Sequence, residues 1–85
     1  MPQTEIVIFK DDDGSVPLLD WLRRQTEKVQ IKCLARVEEL RERGYELRRP
    51  TADKLERGIY ELRTKYGTVN YRVLYAFHDQ NAVLL

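Results

Sequence analysis

Two arginines pose the chemical question in this chain. Arg63 closes the run Gly58-Ile59-Tyr60-Glu61-Leu62-Arg63, and Arg72 lies inside Asn70-Tyr71-Arg72-Val73-Leu74-Tyr75, one short turn further on. Alternation in both runs separates aromatic and aliphatic residues from charged ones, the pattern of a half-buried hairpin. Tyr60 and Leu62 share a side with Tyr71, Val73 and Tyr75. A register that buries this set as one core face also gathers Glu61, Arg63, Asn70 and Arg72 on the other. Two guanidinium groups fixed side by side on a sheet offer planar forks of donors that stay charged at any physiological pH, which suits a phosphate.

Such a phosphate site points at nucleic acid, and any chemistry at a phosphate would need positive groups on the developing charge with a base and an acid for the protons that move. Arg72, mid-strand and opposite the core, is the first candidate for the grip, with Arg63 as its neighbour. Lys54 and Lys65 stand at the two ends of the preceding segment, and Arg49 and Arg57 complete the basic set that could position a substrate. The plainer alternative is an exposed cross-strand ion pair between Glu61 and Arg72, contributing little beyond solubility. His78 is a general-base candidate by residue type, but it follows Phe77 into a turn away from Arg72 and reads as an ordinary turn histidine.

An 85-residue chain is sized for one domain with a single core. Apolar residues at 42% and charged residues at 34% fit a soluble globular domain. One cysteine, Cys33, and one histidine exclude an internal disulfide and argue against a His/Cys metal cluster, so the chemistry is expected to need no metal or other cofactor. The apolar run Ile6-Val7-Ile8-Phe9 is too short to span a bilayer, and the start of the chain does not read as a signal peptide, which makes the cytoplasm the expected location and a membrane an unexpected partner. The formal charge of +1 is unevenly spread. Residues 1–20 carry Lys10 against Glu5, Asp11, Asp12, Asp13 and Asp20, whereas residues 48–72 carry seven Lys and Arg against three acids. This predicts a local basic patch rather than strong bulk attraction to nucleic acid.

The elements that must hold the hairpin can be read around it. Thr4 to Lys10 reads as a strand apolar enough to lie against other layers on both faces. Asp11-Asp12-Asp13-Gly14 lacks the regular oxygen spacing and distant bidentate Glu of a calcium loop, and reads as a solvated turn. Ser15 as N-cap and Pro17 in the first turn start a helix whose apolar side is Leu18, Leu19, Trp21 and Leu22. A second helix runs from about Thr26 to Arg43, with Val29, Cys33, Val37 and Leu40 as its buried stripe and Gly44 as C-cap. Trp21 as a base-stacking platform and Cys33 as a nucleophile are weighed against core packing, which explains residues on apolar helix faces more often. Ile31 lies opposite that stripe, either covered by the first helix or left for a partner. Tyr45 to Asp53 reads as an extended connector around Pro50, and Ala82 to Leu85 as a last strand.

The run Lys54-Leu55 … Gly58-Ile59-Tyr60-Glu61-Leu62-Arg63, followed by Tyr71-Arg72-Val73-Leu74-Tyr75, resembles the core of the RelE/HigB toxin superfamily, in its phage-derived Gp49-like branch. The resemblance extends from about Ile6 to Leu85 and is sharpest in the hairpin. It implies the toxin of a type II toxin–antitoxin pair, a metal-independent endonuclease that cuts mRNA on the ribosome and is held inactive by a cognate antitoxin, expected to be of helix-turn-helix type. It assigns Arg72 a catalytic or transition-state role and matches Lys54 to a lysine that positions substrate. Such proteins usually continue with a Phe-x-Lys-Lys-like segment and a C-terminal helix bearing further catalytic groups. The resemblance therefore carries two open expectations for a chain that stops at Leu85: either it is part of a longer protein, or its C-terminal catalytic contribution is absent.

Together these readings predict an α+β domain, residues 1–85, with two helices packed on one face of a twisted antiparallel sheet of about four strands. The alternatives are a binding module that keeps the fold and the antitoxin or RNA contact without cleavage, and, more weakly, a structural phage component. Self-association through an open strand edge is a further possibility.

Overall fold

The computed structural model describes residues 4–85. Strand β1 (Glu5–Ile8) is followed by helices α1 (Pro17–Arg23) and α2 (Glu27–Arg43), a 3-10 turn at Gly44–Glu46, and strands β2 (Ala52–Lys54), β3 (Ile59–Tyr66), β4 (Val69–His78) and β5 (Asn81–Leu84). The α+β class and the helix pair agree with expectation. The sheet does not. It has five strands in the order β1-β5-β4-β3-β2, and it is mixed, because β1 pairs in parallel with β5. The added strand is β2, three residues that begin at the end of the expected connector and run one residue past it, too short for alternation to show. The parallel pair arises because the chain crosses over the sheet through both helices before β5 fills the place beside β1, an ordering that local pattern does not encode.

The hairpin register is the one expected from alternation. The two-residue turn at Gly67 and Thr68, with Gly67 at φ 62°, aligns Tyr60 with Tyr75, Leu62 with Val73 and Arg63 with Arg72. Leu62, Val73 and Tyr75 are buried beneath α2 with Leu40, Ala82 and Leu84, and Trp21 packs against this cluster from α1. Burial among these residues, with Tyr60 beside it, pushes the Tyr75 hydroxyl up to about 12. The folded state thus favours the neutral phenol. Below pH ~10 both states keep that proton and stability is unaffected, but from ~10 to ~12 the unfolded chain ionises first. Alkaline titration should therefore cost on the order of 2–3 kcal/mol through this residue across that window. Urea midpoints for wild type and Tyr75→Phe check it, since the variant should lack this part of the alkaline loss.

Both helices sit close to their expected bounds. Pro17 occupies the first turn of α1, but Val16 rather than Ser15 is the N-cap, and it makes no side-chain cap bond. The Ser15 amide and hydroxyl instead donate to Asp13 Oδ1 at 2.9 and 2.7 Å, so the serine closes the acidic turn. In α2 the Thr26 hydroxyl caps the Val29 amide, and Val29, Cys33 and Leu40 are buried. Burial pushes the Cys33 thiol up, which leaves it a packing residue. Ile31 is 59% exposed, so α1 does not cover it.

Gly44 ends α2 at φ 55° and ψ −125°, and a Cβ there would collide with the Thr4 hydroxyl. The Thr4 amide, in turn, donates to the Arg41 carbonyl at 3.0 Å, tying the start of β1 to the end of α2. Gly44→Ala should destabilise the fold by roughly 1–3 kcal/mol through backbone strain alone, with the collision added. Adding Thr4→Ala should recover only the steric part, measured as urea midpoints in a double-mutant cycle.

One further expectation fails at β1. It is an edge strand, and only its helix-side face, with Ile6 against the core, is covered. Val7 and Phe9 remain exposed, with no second layer among the described residues on the other side of the sheet, and Ile8 at the end of the strand is exposed as well.

Candidate functional site

The helix-free side of the sheet carries the charged residues. In an antiparallel pair, directly opposed residues share a face. The pairing of Glu61 with Leu74, Arg63 with Arg72 and Lys65 with Asn70 therefore puts all six on that side, and the pairing of Asp53 with Glu61 adds Asp53 from β2. The side chains form a chain of alternating sign. Arg49 Nη2 lies 2.9 Å from Asp53 Oδ2, which also lies 3.3 Å from Arg63 Nη2. Arg63 Nε donates to Glu61 Oε1 at 2.7 Å, and the other oxygen of Glu61 lies 3.6 Å from Arg72 Nε.

This arrangement separates the two arginines chemically. The Arg63 guanidinium is braced by carboxylates on two of its nitrogens and is only partly exposed, so it acts as a strut. The Arg72 side chain is 64% exposed, and its contact to Glu61 is longer than a hydrogen bond. Its fork is therefore the one open to an incoming anion, aimed by Glu61 without being consumed by it. Arg49 hydrogen-bonded to Asp53 holds that carboxyl below the usual carboxylate range, with Arg63 adding a smaller effect, so Asp53 stays ionised and keeps the strut charged at both ends. Arg49, Arg63, Arg72 and Lys65 against Asp53 and Glu61 leave four positive charges minus two negative, a net of +2 in this cluster.

Glu61 departs from the expected split of burial. It lies on the charged face as predicted, yet it is 4% exposed, so the ion pair considered from sequence is neither exposed nor a simple pair. Of the other basic residues, Lys65 shares the face of Arg72 and is exposed. Arg49 joins through Asp53. Lys54 does not, because its partner Tyr60 belongs to the core side, which sets Lys54 at the helix-side rim of the sheet edge. Arg57 sits in the loop before β3 at φ 54°, exposed and apart from the network. His78 ends β4, exposed, 3.8 Å from Asp79. Sequence reading missed Asp53, whose only signal was its i,i+4 spacing from Arg49, and it missed that Trp21 and Arg72 line one cavity. Among the described residues, no group of three or more His, Cys, Asp or Glu is placed to hold a metal ion. Nor is any described helix long and apolar enough to cross a membrane.

The fold and this face define a small α+β domain whose helix-free sheet surface presents a carboxylate-aimed arginine. The chain belongs to the family described as phage-derived protein Gp49-like (DUF891), whose profile matches residues 20–85 and so takes in α2 and all strands except β1. No curated protein matches the chain.

Proposed function

We propose that this protein is the toxin of a type II toxin–antitoxin pair, of RelE/HigB type, acting as a metal-independent endonuclease on mRNA in the ribosome. The observation that carries the reading is Arg72, exposed on a rigid mid-strand position and aimed by the buried carboxylate of Glu61, in a chain of the Gp49-like family. A fixed guanidinium stabilises the charge that develops on phosphate during transesterification without reorganising at the moment of reaction. The net charge of +2 in the cluster around Arg72 is modest, which fits a protein that relies on its host ribosome for affinity rather than on bulk attraction to RNA. A cognate antitoxin that covers the arginine would silence it. Inducing the natural reading frame without its neighbours, and mapping mRNA ends in translating cells, tests the reading. New 5' ends inside translated codons are expected, and their absence during growth arrest would refute cleavage.

A second reading is a non-catalytic module that binds an antitoxin or RNA. It is favoured by the two carboxylates on Arg63, which occupy donors that a catalytic pair would leave for phosphate. Pull-down from the native host separates the two when combined with end mapping. A small antitoxin-like protein with no new mRNA ends would select the module.

A further inference from the structure

Beside Arg72 the surface opens into a cavity of about 290 Å³ between α1 and β4, walled by Pro17, Leu18, Trp21, Leu74 and Leu85. Arg72 is the single charged residue in its lining, and neither Glu61 nor Arg63 reaches it. The cavity is thus separate from the carboxylate network but shares its exposed arginine.

We propose that this cavity is a nucleobase subsite, in which a base lies against the Trp21 indole while the phosphate on its ribose is held by Arg72. The inference rests on the reading of Arg72 as a phosphate grip. A nucleotide joins a flat π-surface to an anion through one sugar, and the cavity presents an aromatic and aliphatic slot with Arg72 in its wall. Trp21 is half-buried and lines the cavity, and its contact with Tyr71 is edge-type, with centroids 6.1 Å apart and planes at 61°. The volume is at the lower end of small-molecule sites, which suits one base rather than a longer ligand. Apart from Arg72 and the indole N–H of Trp21, the side chains of the wall are apolar. Stacking strength, more than base-edge recognition, is therefore expected to rank the bases.

Trp21 is the only tryptophan in the chain, so 5-fluorotryptophan gives one fluorine resonance at the cavity. The full chain carrying this label is titrated with adenosine 5'-monophosphate, ribose 5-phosphate and inorganic phosphate, while the Arg72 Nε–H resonance is followed in parallel. The nucleotide is expected to bind about tenfold more tightly than ribose 5-phosphate and to move both resonances at one midpoint, with ribose 5-phosphate moving that of Arg72 alone. Equal affinities, or an Arg72 shift without a fluorine shift, would overturn the subsite and leave the phosphate grip standing. Silence of both resonances with every probe would overturn the grip and the subsite together. A fluorine shift with an acidic peptide bearing a leucine anchor, and none with the nucleotide, would assign the cavity to a protein partner and refute the proposal.

Discussion

Arg72→Ala is expected to abolish growth arrest when the natural reading frame is induced, while leaving the protein folded. The side chain is 64% exposed and its one carboxylate contact is 3.6 Å long, so its removal takes away neither core volume nor a strong hydrogen bond. Its loss in the transition state is another matter. Removing one preorganised donor from a developing anionic centre typically costs roughly 10²- to 10³-fold in rate. Arg72→Lys should recover little, because an ammonium on a flexible stem does not reproduce a planar fork aimed by Glu61. Undiminished arrest in Arg72→Ala, with circular dichroism unchanged, would remove the catalytic reading and leave the binding module. Loss of arrest with loss of the circular dichroism signal would show instead that the residue is structural.

Leu62→Ala is expected to have the opposite signature. Leu62 is 1% exposed and stands between Glu61 and Arg63 on β3, facing the cluster formed by Leu40, Val73 and Tyr75. Truncation of such a residue costs about 2–5 kcal/mol, from lost transfer energy and the cavity left behind. A domain of this size has on the order of 5 kcal/mol to lose. The urea midpoint should fall by a large part of its wild-type value, and toxicity should fall with it through reduced abundance rather than through chemistry. A midpoint within error of wild type would mean that the core does not rest on the β3–β4 hairpin.

The contrast between these neighbouring positions shows how much of the hairpin was legible. Period-2 alternation is a local property, and it assigned Leu62 and Arg63 to opposite faces and paired Arg63 with Arg72 without any knowledge of the rest of the molecule. The stripe Val29, Cys33, Leu40 and the stop at Gly44 were legible for the same reason, since helical spacing and a glycine at positive φ are set within a few residues. Ser15 was misassigned as a cap because Asp13, two residues away, competes for its hydroxyl and amide.

What the sequence by itself determined was therefore which residues share a face, where the helices stop, and that two arginines meet across a turn. What only the tertiary structure decided was how those residues differ from one another. The parallel placement of β1 beside β5 depends on a crossover through two helices. The brace on Arg63 depends on β2 delivering Asp53 from outside the hairpin, and the exclusion of Lys54 depends on its pairing with Tyr60. The cavity at Arg72 depends on α1 bringing Trp21, 51 positions earlier in the chain, against β4. Face and period follow from backbone geometry within a few residues. Burial, charge pairing and cavities depend on long-range packing, in which residues far apart in sequence compete for the same neighbours.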